Sequence, residues 1–170
     1  MPNSSKLRCH PLAEPFRVVL VEPEIPPNTG AVARTCAATS TPLHLIAPLG
    51  FRIDDRSLKR AGIDYWHLVQ VRVHPNLDHF AQCHPTARLQ LFSSQAARSY
   101  LQADLRPGDA LVFGRESVGL PEALLKHHGE RVWGIPTCGQ VRSLNLSNAV
   151  AIVLYEALRL NRGLNPAFVE

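Results

Sequence analysis

Apolar residues along this chain gather in short runs separated by stretches with a helical repeat. The runs are Phe16 to Val21 (FRVVLV), Leu43 to Ala47 (LHLIA), Leu68 to Val73 (LVQVRV), Arg88 to Phe92 (RLQLF), Ala110 to Gly114 (ALVFG) and Arg131 to Ile135 (RVWGI). Short, β-branched-rich runs of this kind predict strands buried on both faces. The intervening patterns predict helices near Gly30 to Ala38, Asp55 to Ala61, Leu77 to Cys83 and Pro121 to His127, with a last helix over Leu146 to Leu160. Pro121 suits a first helical turn, where its missing N–H costs nothing. Strand–helix alternation predicts an α/β fold with a mostly parallel sheet and helices on both faces.

The last helix carries Ala149, Val150, Ile152, Val153, Leu154, Ala157 and Leu158, which leaves little polar surface. Such a helix must be covered on more than one side. Either it lies at the centre of a monomer, or a second subunit covers part of it, and the shortness of the chain favours a homodimer.

The chain has 170 residues, 45% hydrophobic and 19% charged, which fits one domain with a core of its own. Residues 1–15 (MPNSSKLRCHPLAEP) read as a flexible arm without a signal-peptide pattern, 16–162 as the domain, and 163–170 as a short tail. No apolar run is long enough for a membrane span. Cys9, Cys36, Cys83 and Cys138 are scattered without a CxxC pair, the pattern of reduced thiols in a cytoplasmic protein. The net charge of +4 permits a polyanionic partner such as RNA without demanding one.

Several chemistries are excluded by motif. No GxGxxG follows the first strand, and no HExxH or GxSxG occurs. Gly114 to Gly119 has P-loop glycine spacing, but Leu120-Pro121 stands where Lys and Ser or Thr are needed. His74, His79, Cys83 and His84 cluster in sequence but match no zinc spacing. They read as surface imidazoles and one semi-buried thiol, so no metal is expected.

Three segments carry a signal. In EPEIPPNTGAVARTCAATS (Glu22 to Ser40), two prolines stiffen the turn, and Asn28 or Thr29 can cap a helix whose exposed N–H groups favour a phosphate. Arg34 lies about one turn in, as a ligand or a solvated helix arginine. In FGRESVGLP (Phe113 to Pro121), Gly114 ends a strand, and Glu116 serves either a site or the following helix N-terminus. In IPTCGQVRSLNLSNAVAIVLYEALRL (Ile135 to Leu160), Ser147 and Asn148 are candidate helix caps, whereas Ser143 and Asn145 lie further upstream than a cap requires.

These collinear segments, with ARTCA and the LxRAGxDYW-like run from Leu58 to Trp66, resemble the SPOUT methyltransferases of the SpoU branch, and within it the TrmL-type tRNA (cytidine/uridine) 2′-O-methyltransferases of the wobble nucleotide. The resemblance covers roughly residues 16 to 160. It implies a C-terminal trefoil knot, which periodicity cannot reveal and general rarity opposes. It also implies an S-adenosyl-L-methionine site in the knot, S-adenosyl-L-homocysteine as product, a homodimer with active sites at its interface, and tRNA as partner.

By matching motif positions, the resemblance gives Arg34, Glu116, Ser143 and Asn145 catalytic places. Phe92, Gly114, Ile135, Ser143 and Leu144 take cofactor places, and Asn28, Arg34 and Arg142 substrate places. Arg115 stands where relatives often have proline, and Val141 where a small polar residue is common. A single-stranded anticodon loop suits such an enzyme, because its 2′-hydroxyl can be reached. Arg52, Arg56, Lys59 and Arg60 are equally a basic patch for it or a solvated helix face. Two rivals stay open: a SpoU-type enzyme for another tRNA or rRNA position, and a non-catalytic RNA-binding module with the same fold.

Overall fold

A computed structural model describes residues 7–53 and 66–169. Its elements are β1 (Leu7–Cys9), β2 (Arg17–Val21), α1 (Pro26–Ala38), β3 (Leu43–Ile46), β4 (Val71–His74), α2 (Leu77–Cys83), β5 (Leu89–Phe92), β6 (Ala110–Phe113), α3 (Glu122–His127), β7 (Val132–Trp133), α4 (Leu146–Leu160) and β8 (Pro166–Val169). Six strands form one parallel sheet in the order β4-β3-β2-β6-β5-β7. The expected α/β class and mostly parallel sheet are observed.

Alternation along each strand explains why the runs are apolar throughout. Val18 and Leu20 of β2 join one core with Val32, Ala33 and Cys36 of α1 and Val150, Val153, Leu154, Ala157 and Leu158 of α4. Val19 and Val21 face the other way, into a second core with Ile46, Leu91, Val112 and Phe80 of α2. Successive side chains point to opposite faces, so a sheet covered twice needs apolar residues at every position. Complete burial pushes the Cys36 thiol pKa up, which leaves it an inert core residue. At the amino end of β6, the buried Asp109 accepts from Arg88 Nε at 2.8 Å and Nη2 at 2.7 Å, and from Gln90 Nε2 at 3.2 Å.

Boundaries differ from expectation in instructive places. Helix α1 starts at Pro26, not Gly30, because Pro26 and Pro27 occupy the first helical positions. Their fixed φ is already helical, and first-turn N–H groups have no intrahelical partner to lose. Asn28 and Thr29 therefore lie inside the helix, Ile25 is the N-cap, and no side chain of its own caps α1. Residues Trp66–Leu68 form a 3₁₀ turn, which delays β4 to Val71. Pro121 is the N-cap of α3 rather than its first residue. The helix expected over Asp55 to Ala61, together with Arg56, Lys59 and Arg60, lies outside the described residues.

The arm and the tail were expected separately, without a link between them. Leu7–Cys9 of the arm pairs antiparallel with Pro166–Val169 of the tail. The histidines also differ from expectation. His74 is buried, joined by the buried His44 of β3, while Cys83 is exposed rather than semi-buried. Strand pairing places Ile46 beside His74 and so brings β3's imidazole near β4's, which sequence proximity could not show.

Candidate active site

The site lies beyond the carboxyl ends of β2, β5, β6 and β7, where open parallel sheets gather their ligands. Strand β6 ends at Phe113, and the loop from Gly114 to Leu120 folds back on itself. Gly119 N–H donates to Arg115 O at 2.8 Å, and Gly119 takes φ of +74°. A Cβ on Gly114 would stand 2.1 Å from Gly119 C and 2.2 Å from Leu120 N, so the fold-back needs glycine there.

That loop carries Glu116 to the start of α1. Its carboxylate accepts from Glu24 N–H at 2.8 Å, from Ile25 N–H at 3.2 Å and from Asn28 Nδ2 at 3.0 Å. The expectation that free N–H groups at this terminus await a phosphate is therefore corrected. Pro26 and Pro27 have no N–H, and Glu116 already supplies the anion the helix end favours. Nor does Glu116 serve the helix that follows it; it caps one that precedes it by about ninety residues in sequence.

The network continues into the last helix. Asn145 Nδ2 donates to Asn28 Oδ1 at 3.0 Å. Asn145 Oδ1 accepts from Ser147 N–H at 2.9 Å and from Asn148 N–H at 3.4 Å. Asn145 is thus the N-cap of α4, a role the sequence had placed at Ser147 or Asn148. A carboxylate only accepts, so Glu116 fixes which end of the Asn28 amide faces it, and Asn28 in turn fixes Asn145. Three loops are locked by one chain of hydrogen bonds. Two further contacts brace the same loop: Ser117 N–H and Oγ donate to Glu24 at 3.0 and 2.9 Å, and Arg115 pairs with Glu22 at 2.5 Å. Neither acidic partner was anticipated, because nothing local marks Glu22 or Glu24 as facing a loop far away in sequence.

A cavity of about 790 Å³ opens beside this network. Its lining includes the expected Asn28, Phe92, Gly114, Glu116, Ile135, Arg142, Ser143, Leu144 and Asn145. Phe113 and Trp133, which the sequence did not single out, add to its apolar floor, with Phe92 and Phe113 stacked at 5.0 Å. The volume, the apolar floor and the polar rim fit a nucleoside-sized ligand. Arg34 is the exception among the expected residues. It is exposed on α1 and is not part of the lining. Six residues of helix turn it about 120° away from Asn28.

The parallel sheet, the fold-back loop after β6 and the locked entry to α4 define a methyltransferase of the SpoU type. The chain belongs to the SpoU rRNA Methylase family, whose model matches residues 15–155. It is 48% identical over 147 residues to a tRNA (cytidine(34)-2′-O)-methyltransferase of Burkholderia pseudomallei, covering 85% of this chain and 94% of that one. A solved structure concerned with 2-OH methylation of C/U34 on tRNA matches with a TM-score of 0.82 and 47% identity, over 88% of this chain and 98% of that chain. An AdoMet-bound rRNA methyltransferase from Sinorhizobium meliloti matches with a TM-score of 0.73 and 25% identity, over 89% of this chain and 58% of that chain. Among the described residues, no helix is long and apolar enough to cross a membrane.

Proposed function

We propose that this chain is an S-adenosyl-L-methionine-dependent tRNA methyltransferase that 2′-O-methylates the ribose of the wobble nucleotide, cytidine or modified uridine 34, in the cytoplasm. The observation that carries this reading is the locked Glu116–Asn28–Asn145 network at the mouth of a nucleoside-sized cavity. Identity of 48% over 94% of the Burkholderia pseudomallei enzyme favours the wobble nucleotide over another tRNA or rRNA position. An intact network argues against a module that only binds RNA.

The cofactor supplies a methyl group on a sulfonium, which needs no further activation. Gly114, Ile135 and Leu144 would hold it largely by backbone, with Phe92 beneath and Ser143 at the rim. We also infer that the segment after β7 is threaded in the family's trefoil knot. Ser93 N–H donates to Trp133 O and Tyr100 N–H to Gly134 O, both at 2.9 Å, which is consistent with that threading.

The ribose hydroxyl is a poor nucleophile, so orientation and charge stabilisation carry much of the rate. Asn28 and Arg142 border the entry for RNA. Guanidinium groups are poor proton acceptors in proteins, so we assign Arg34 phosphate orientation rather than proton removal. The target's phosphate or a water takes the proton. Because Arg34 turns away from its own cavity, we assign it to the cavity of a second subunit in a homodimer. Ile152 and Tyr155 on the outer side of α4, 38% and 44% exposed, give that dimer apolar surface.

The test is nucleoside mass spectrometry of tRNA from a strain lacking this gene. The 2′-O-methyl at position 34 is expected to be missing and to return when the chain is supplied; unchanged methylation rejects the assignment. Arg34→Lys keeps the charge and loses the two-pronged fork. It is expected to lower turnover about 10- to 100-fold, the worth of one charge-assisted hydrogen bond, with cofactor affinity in calorimetry unchanged. Near-full turnover would remove the orienting role.

A further inference from the structure

At the outer edge of the sheet, away from the cavity lining, four imidazoles and a thiol converge where β3, β4 and α2 meet. We propose that His74, His79 and Cys83 bind a first-row divalent transition-metal ion, Zn²⁺ above all, in place of the expected absence of a metal. His74 closes β4, and His79 and Cys83 stand four residues apart on one face of α2. His74 Nδ1 lies 3.1 Å from His79 Nδ1, and Cys83 Sγ lies 3.8 Å from the same His79 nitrogen. All three ligand atoms are within 4.8 Å of one another. Zinc bonds of about 2.0–2.1 Å to nitrogen and 2.3 Å to sulfur imply tetrahedral edges of about 3.3 Å for N···N and 3.6 Å for N···S. The two measured edges bracket those values, and the exposed thiol can rotate to close the third. Water can complete the shell on the exposed side of His79 and Cys83.

The groups behind His74 prepare it as a ligand. A metal-bound histidine donates its other ring N–H to an acceptor, which fixes the tautomer. His74 Nε2 lies 2.9 Å from His44 Nδ1, and His44 is buried. One of these two nitrogens donates to the other, and when the donor is His74 Nε2, His74 Nδ1 is left free for an ion. That tautomer puts the proton of His44 on Nε2, a buried atom without a hydrogen-bond partner among the described residues. An orphaned buried donor is costly, so an ion on His74 Nδ1 is what would select this tautomer.

A second triad, His44, His74 and His84, lies deeper. It has no anionic ligand, and the positive charge of Arg17 bears on His44 and His84 there. Cys83 gives the outer site its negative charge. On binding, the thiol releases its proton to solvent and His79 moves its own from Nδ1 to Nε2, leaving two neutral imidazoles and a thiolate on the ion. The result is a staple between α2 and the edge strand β4.

Cobalt titration of the full, chelator-stripped chain, followed by absorption, tests the proposal. One equivalent of Co²⁺ is expected to give a thiolate-to-cobalt charge-transfer band that Zn²⁺ displaces. Cys83→Ser should abolish the band, and His79→Gln should weaken binding at least about tenfold, the scale of a disturbed metal shell. Cys138→Ser and Cys9→Ser should leave the band intact. Both ligand substitutions are at exposed positions, and circular dichroism confirms that each variant is folded. X-ray absorption of the Zn²⁺-loaded wild type gives a second readout, with one sulfur expected in the shell. A wild type without the band, a band that survives Cys83→Ser, or a shell free of sulfur overturns the proposal.

Discussion

Glu116→Ala is expected to cost about 2–4 kcal/mol of stability and to reduce methyl transfer on the order of 10²-fold. The carboxylate receives two backbone N–H groups and the Asn28 amide at the start of α1. A hydrogen bond to a charged group is worth about 1.5–3 kcal/mol net, and three sharing one acceptor contribute less than their sum. Stability alone does not capture the effect. Without Glu116, neither the Asn28 nor the Asn145 amide has a fixed orientation, and a misplacement of about 1 Å at a reacting centre costs roughly 10²-fold in rate. Thermal unfolding should fall by about 5–15 °C for a chain of this size. Glu116→Gln keeps the shape but turns an amide N–H toward the N–H of Glu24 or Ile25, so its losses should be intermediate. A Glu116→Ala protein with wild-type melting and turnover would show that the network is incidental.

Gly114→Ala should be nearly as damaging for a purely steric reason. Its Cβ would meet Gly119 C at 2.1 Å, Leu120 N at 2.2 Å and Gly119 O at 2.5 Å, all of them backbone. No rotamer relieves such a contact, so the whole fold-back loop must move. The expected cost is about 3 kcal/mol, at the upper end for overpacking. S-adenosylmethionine binding heat in calorimetry should vanish with it. Gly129→Ala is the matched control, because a Cβ there meets nothing within 4 Å among the described residues and Gly129 has no positive φ. It should change stability by less than about 0.5 kcal/mol. Equal binding by Gly114→Ala and the control would separate the loop from the cofactor site.

Strand and helix ends in this site were readable locally, whereas their assembly into one site was implied only by the resemblance. Gly114, Glu116 and Asn145 mark places where the chain leaves a strand or enters a helix, and such places leave local signatures. Their partners leave none. Local sequence leaves Glu116 open between a site and the helix that follows it, and nothing nearby marks α1, about ninety residues earlier, as the helix it caps. Asn145 directly precedes the helix start at Leu146 that the periodicity gives, so Ser147 and Asn148, the expected caps, lie inside the helix and Asn145 takes the role. His44 was passed over because thirty residues separate it from His74.

The amino-acid sequence by itself determined the class of the fold. Apolar runs of strand length, alternating with helical repeats, can bury both faces of a sheet only in a parallel α/β arrangement, and that constraint is local in origin. The motif order went further and carried the family. Only the tertiary structure decided which residues meet: Glu116 with α1, Asn28 with Asn145, His44 with His74, and the arm's Leu7–Cys9 with the tail's Pro166–Val169. The physical reason is range. Periodicity and capping act over a few residues, whereas strand order and register set every contact between residues distant along the chain.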